Sequence, residues 1–223
     1  MSNTNESMAK RIKKTMENLQ KNNIYACYIP TKEDVVTQVA EFLNEGDTVS
    51  VGGSESLFVC GVIDYLREGG YHFLDRYQDG LTREEIEQIY RDAFSADAYL
   101  CSSNAVTENG ELYNVDGNSN RTAAILYGPK SVIMVVGVNK LVKDLAEAAE
   151  RVKTTAAPLN TQRLDCDTYC RAQGRCIALT RGESEITAGC SSDQRICCNY
   201  VISAKQRHKN RIKVILVGEP LGY

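Results

Sequence analysis

Met8, Ile12, Met16 and Leu19 recur at helical spacing, which predicts an amphipathic helix over residues 6–21. IYACYIP at 24–30 alternates and then stops at Pro30, as a first strand does. Thr31 is followed three residues later by an acid, so a capped helix is expected to run from there to about Asn44, where NEGD turns the chain. TVSVGG (48–53) is a buried strand entering a glycine turn, and Ser54 or Ser56 opens a helix that ends at Gly69–Gly70. YHFLD is a short strand. Thr82 and Glu85 have capping-box spacing at the head of LTREEIEQIYRDAF, a further helix.

ADAYLCSSNAV (96–106) is expected to be a strand that enters a loop. Asn109–Gly110 stands between two short β-prone segments and signals a hairpin. A short helix is predicted near Thr122–Leu126 and a fully buried strand at SVIMVVG (131–137). Asn139 is read as the cap of a helix reaching about Lys153, and VILVG (214–218) as the last strand. Strands alternating with helices imply a three-layer α/β/α fold on a mainly parallel sheet, with the hairpin as its antiparallel element. The chain reads as a single domain, 1–223, with a cysteine-rich insertion at about 160–200 before the last strand.

Composition narrows the class. The chain has 223 residues, 43% of them hydrophobic and 25% charged, with a formal charge of −3, which offers nucleic acid no general attraction. The sequence contains no apolar run long enough to span a bilayer. MSNTNESMAKRIKK lacks the apolar stretch of a signal peptide, so a cytoplasmic location is expected. In that compartment clustered thiols point to a metal or a redox pair more than to structural disulfides. Residues 160–213 hold ten Lys/Arg against five acids. That excess is a solvated basic face or a local compensation for metal-bound thiolates.

Three stretches hold candidate chemistry. In Gly52-Gly53-Ser54-Glu55-Ser56 a strand ends in two glycines before a helix, which exposes N–H and hydroxyl donors to a phosphate or carboxylate, or simply makes a tight βα turn. Residues 102–121, SSNAVTENGELYNVDGNSNR, carry more Asn, Asp and Gly than a hairpin needs. Glu108 is the candidate nucleophile or base, Asp116 and Asn120 could orient it, and Arg121 could grip a carboxylate through two parallel hydrogen bonds. Asn139 and Lys140 would add a cation at the same rim. The third stretch holds Cys166, Cys170, Cys176, Cys190, Cys197 and Cys198, without a Cys-x2-Cys pair. Cys170, Cys176, Cys190 and Cys197 are candidate ligands for zinc or an iron–sulfur cluster, with Cys166 and Cys198 spare or a redox pair. Cys27, Cys60 and Cys101 lie in core elements. His72 and His208 suggest no catalytic role, and no flavin or nicotinamide fingerprint is present.

GGSESL, SSNAVTENGELYNVDGNSNR and the VVGVNK strand end together resemble the lactate-utilisation (LUD) domain family over about residue 8 to the end, and the four candidate ligand cysteines resemble those of one subgroup. The resemblance implies a fold similar to the CoA-transferase and ribose-phosphate-isomerase superfamily, whose strand-end loops bind anionic substrates. On this chain the matched positions are Gly52, Gly53, Ser54, Asn104, Glu108, Asp116, Gly117, Asn120 and Arg121. It also implies a component of bacterial lactate or related organic-acid utilisation that binds a small carboxylate or phosphorylated ligand and works beside iron–sulfur and flavin-linked oxidase subunits. A stand-alone acyl or CoA transferase using Glu108, and a non-enzymatic metabolite sensor or scaffold, are the alternatives. A homodimer is the base-rate expectation for oligomeric state.

Overall fold

The computed structural model describes the backbone of residues 3–223 and the side chains from residue 6 onward. α1 (Asn3–Lys21) leads to β1 (Tyr25–Ile29), a short turn, α2 (Val35–Ala40) and β2 (Thr48–Val51). α2 is shorter than expected because Thr31 opens a 3-10 turn, and its hydroxyl donates to the Asp34 carboxylate (2.9 Å) without capping a backbone N–H. The next helix is broken into α3 (Glu55–Val59) and α4 (Val62–Glu68) by Gly61, whose φ of +68° no helix interior accepts. β3 (His72–Leu74) and α5 (Arg83–Asp92) follow, the latter opened by the expected Thr82–Glu85 capping box.

The expected strand at 96–106 is two strands in two sheets. β4 (Ala98–Cys101) lies in the main sheet, whereas β5 (Ala105–Thr107) pairs in a second one with β6 (Leu112–Asp116) across the predicted Asn109–Gly110 turn. α6 (Asn120–Leu126) and β7 (Ser131–Gly137) follow. Asn139 does not cap a helix. It lies in a 3-10 turn before β8 (Leu141–Val142), and the cap is Asp144, whose carboxylate accepts from Glu147 N–H (3.0 Å) at the head of α7 (Leu145–Arg151). A π-helical turn (Val152–Ala156) carries the chain into α8 (Ala157–Arg163). The cysteine segment contributes two short helices, α9 (Tyr169–Gln173) and α10 (Ile177–Thr180), then β9 (Asn199–Ser203) and finally β10 (Ile212–Val217).

The main sheet is parallel throughout, in the order β1-β10-β7-β4-β2-β3; the second has the order β8-β5-β6-β9. Alternation along β7 explains the layers. Val132, Met134 and Val136 face a core shared with Ile12 and Leu19 of α1, while Ile133 and Val135 face one shared with α2, α3 and α4. The fold is therefore the expected α/β/α sandwich. The second sheet has its own core, where Tyr113 and Val115 pack on Ala148, Ala149 and Val152.

α1 is tied to the hairpin by polar contacts. Arg11 and Lys14 reach the Glu108 carboxylate (2.7 and 3.0 Å), and Asn18 donates to the Glu108 carbonyl (2.8 Å). At the turn Gly110 has φ +81°, and a Cβ there would stand 2.5 Å from the Asn18 carbonyl carbon. Gly110→Ala is expected to lower unfolding stability by roughly 2–3 kcal/mol, through a left-handed residue and a backbone collision. Urea unfolding measures it, and a change within about 0.5 kcal/mol would show that the hairpin does not depend on this approach.

Candidate anion-binding site

Arg121, on the first turn of α6, sets the geometry of the asparagine-rich motif. It is 8% exposed, so its guanidinium must find partners inside the protein. Nε and Nη2 donate to Asp116 Oδ1 (2.9 and 2.7 Å). Nη1 donates to the Ser102 carbonyl (3.1 Å) and Asn114 Oδ1 (2.6 Å). Nη2 also reaches Asn104 Oδ1 (2.9 Å) and the Val115 carbonyl (3.0 Å). A guanidinium has five N–H donors, and these contacts occupy them all. The carboxylate that the guanidinium meets in this structure is that of Asp116. Asp116 is committed in turn, since Oδ2 accepts from the Thr122 N–H (2.8 Å) at the head of α6. Asn104 Oδ1 also takes the Val115 N–H (2.8 Å), and Arg151 donates to the Asn104 carbonyl (2.6 Å). Gly52 belongs to the same packing: a Cβ would lie 2.9 Å from the Tyr99 hydroxyl and 3.1 Å from Arg121 Cγ.

Beside this network is a cavity of about 530 Å³. Gly53 and Ser54 after β2, Arg76 after β3, Ser102 after β4, Lys140 after β7 and Tyr223 after β10 all contribute to its wall. It thus lies outside the carboxyl ends of the parallel strands, where α/β sheets bind ligands. Asn104, Asp116, Gly117, Asn120 and Arg121 line it as well. Gly52, Ser56, Glu108 and Asn139 do not. Glu108, the expected nucleophile, is held between Arg11 and Lys14; burial raises its pKa, but the two cations prevail and keep it below the usual carboxylate range. Asn139 instead clamps the C-terminal tail, accepting from Leu221 N–H (3.0 Å) and donating to the Gly222 carbonyl (3.0 Å).

Lys140 is a second buried cationic residue of this wall, 3% exposed. Its Nζ donates to Ser56 Oγ (3.2 Å) and Ser102 Oγ (3.1 Å), and among the described residues it has no carboxylate partner. Burial, then repulsion from Arg151 and Arg121, brings its pKa down to about 7. Arg76 and Arg163, which the sequence reading did not single out, stand on the same wall. Arg76 stacks on the Tyr77 and Tyr90 rings (5.2 and 4.7 Å to the centroids), and its Nε is buried without a partner among the described residues. Arg163 is held by Asn160 (2.9 Å), the Tyr223 hydroxyl (2.6 Å) and Glu55 (3.4 Å). A cation immediately after a parallel strand, as in FLDR at 73–76, was the available signal for Arg76.

The cysteine segment borders this cavity. Cys166, Cys197 and Cys198 line it together with Arg195. Behind Cys197 is a second cavity, of about 20 Å³, lined by Cys170, Cys176, Cys190 and Cys197 with Val152, Ala157, Ile177 and Tyr200. The four candidate ligands are thus brought around one space, although among the described residues no three His, Cys, Asp or Glu side chains form a group set to hold a metal ion. Arg195 donates to the Cys197 thiol (3.2 Å) and to the Cys190 carbonyl (3.1 Å). All nine cysteines are free thiols, Cys166 and Cys198 included. Cys60 and Cys101 are buried and Cys27 half-buried, with burial raising their pKa values to about 11, about 12 and about 11 respectively, as expected of core residues. His72 and His208 are exposed and away from both cavities.

The LUD domain matches residues 12–217. The chain belongs to the LUD domain family. A LUD chain of known structure, a DUF162 family protein from Deinococcus radiodurans in a 1.70 Å crystal structure, superposes with a TM-score of 0.52 at 15% identity, over 94% of this chain and 98% of that one. At that identity the likeness is one of fold. No curated protein gives a significant match. Among the described residues this LUD chain has no helix long and apolar enough to cross a membrane.

Lys140 gives the site a pH signature. Its folded pKa of about 7 lies below the ordinary lysine value of about 10.4, so between the two the unfolded chain binds more protons. Its charging penalty is fully present below pH 7 and is relieved as pH rises. Relative to Lys140→Met, the wild type should gain stability from about pH 7 upward, by at most about 1.4 kcal/mol per pH unit. Urea unfolding of both proteins between about pH 6.5 and about pH 8.5 measures the difference. A gap that stays constant would mean Lys140 titrates as an ordinary lysine.

Proposed function

We propose that this LUD domain protein takes part in lactate or related organic-acid utilisation by binding a small carboxylate in the strand-end cavity. Family membership supports the pathway class. The observation that carries the ligand class is the wall itself. Lys140, Arg76, Arg163 and Arg195 line one cavity together with the acids Glu55 and Asp193, Arg163 is paired with Glu55, and among the described residues Lys140 is buried there without an anionic partner. A cation so placed costs free energy until an anion enters. Arg121 and Asp116 are paired with each other and shape the floor. The acyl-transfer alternative finds no support from the geometry, since Glu108 is off the cavity wall. A ligand that is to be oxidised would pass its electrons to partner subunits carrying flavin or iron–sulfur groups.

Lactate, pyruvate and inorganic phosphate distinguish carboxylate from phosphorylated ligands. A carboxylate at about 100 times its Kd should raise stability by about 2.7 kcal/mol, and Arg76→Ala should weaken binding about tenfold or more. Calorimetric titration and thermal unfolding measure both. Absence of a shift with every one of the three would remove the anion reading.

We propose separately that the cysteine segment takes a metal, its thiols closing on the ion from the arrangement seen here, in which no three of them are yet grouped to hold one among the described residues. Cys170, Cys176, Cys190 and Cys197 surround a space of about 20 Å³, room for one water-sized occupant. The proposal takes the occupant to be a single ion such as zinc, which four thiolates hold tetrahedrally. The donor chemistry fits, and the nearby Arg195 would offset thiolate charge at Cys197. Such an ion would staple the loop 190–198 that forms part of the ligand cavity wall. Protein purified without oxygen should carry near-stoichiometric zinc, show no visible absorption, and lose the metal in Cys176→Ala. Sulfide and iron in the preparation would overturn the single-ion reading.

A further inference from the structure

Lys140 has properties that anion binding does not use. Ser56 Oγ–H is directed to the Leu221 carbonyl (3.2 Å) and Ser102 Oγ–H toward the Ser103 carbonyl (3.5 Å). Both hydroxyls therefore receive hydrogen bonds from Lys140 Nζ. A neutral primary amine has two N–H groups and one lone pair. With its two N–H groups on Ser56 and Ser102, the lone pair is the position left without a protein partner. Lys140 is also one of the residues that line the 530 Å³ cavity. Arg76, whose Nε is buried without a partner among the described residues, stands on the same wall and offers a carboxylate a donor.

We propose that Lys140 is a nucleophile that forms an imine with the carbonyl of a small oxo acid whose carboxylate is held by the cationic wall. This rests on the reading of the cavity as an organic-acid site and names the ligand within that class: a cationic wall selects the carboxylate, and an amine selects an aldehyde or ketone. The lone pair of Nζ forms a bond to the carbonyl carbon, and the C=O π pair moves to oxygen. One N–H proton is transferred to that oxygen through Ser102 or cavity water, giving the carbinolamine. The hydroxyl then leaves as water, taking up the second N–H proton through the same relay, and the nitrogen electron pair forms the C=N bond. The protein, the oxo acid and one released water balance the step, and no oxidant or reductant is needed. The pKa of about 7 supports the assignment, because about half of Lys140 is unprotonated at neutral pH against about one in a thousand for an ordinary lysine.

The test traps the imine. The full chain is incubated with pyruvate or glyoxylate and borohydride near neutral pH, and the reduced adduct is mapped by mass spectrometry of peptides. The adduct is expected on Lys140, at a rate about 500-fold above other lysines. Lactate, which has no carbonyl, should give none, and Lys140→Arg, which keeps the charge, should lose the adduct. Binding of the same acids is followed separately by thermal unfolding. If pyruvate and lactate both stabilise the wild type while no adduct forms on Lys140, the imine is wrong and the carboxylate site stands. If neither acid binds and no adduct forms, both readings fall. Labelling spread evenly over surface lysines, and unchanged in Lys140→Arg, would also overturn the inference.

Discussion

The site depends on the buried pair between Arg121 and Asp116. Breaking a pair that is almost fully desolvated leaves an uncompensated charge, at a cost of about 3–5 kcal/mol. Here the consequences extend past stability. Arg121 joins the end of β4 through Ser102, the hairpin strand β6 through Asn114 and Val115, and the loop at Asn104. Asp116 terminates β6 and receives the first turn of α6. The two sheets are therefore locked to each other through one guanidinium, and the cavity occupies the space that this junction leaves at the strand ends. Gly52 fits the same constraint, since no side chain can stand against Tyr99 and Arg121.

Much of the fold is legible in the sequence. Buried runs separated by helical periodicity give the parallel sheet, Asn109–Gly110 gives the hairpin, and Thr82 with Glu85 gives a capping box. The second sheet is not legible, because β8 has two residues and β9 follows a cysteine loop whose composition carries no strand pattern. The helix cap at Asn139 misreads a residue whose side chain serves the C-terminal tail. Local sequence shows what a residue can do, and the long-range partner decides which option is taken.

The same reason governs the site. SSNAVTENGELYNVDGNSNR is informative as a motif, but its charged members divide into roles that spacing cannot assign. Glu108 fastens α1 to the hairpin, Asp116 and Arg121 consume each other, and Asn104 orients both the loop and the guanidinium. Lys140, in the sequence only a cation after a strand, is buried on two serine hydroxyls with no carboxylate beside it among the described residues. Cys170, Cys176, Cys190 and Cys197 line one small space, and Cys197 stands on the walls of both cavities. The cysteine segment and the strand-end pocket are therefore neighbours, so whatever orders the first shapes the second.

The central claim is that Lys140 is a buried amine with a depressed pKa awaiting an anionic ligand. Carbon-13 NMR of protein labelled at lysine Cε follows it most directly, since each lysine reports its own titration. One resonance, absent from Lys140→Arg, should titrate near pH 7 and move to higher pH when a small carboxylate such as lactate is added. If every lysine titrates near the ordinary value of about 10.4 and none responds to the acid, the account is contradicted.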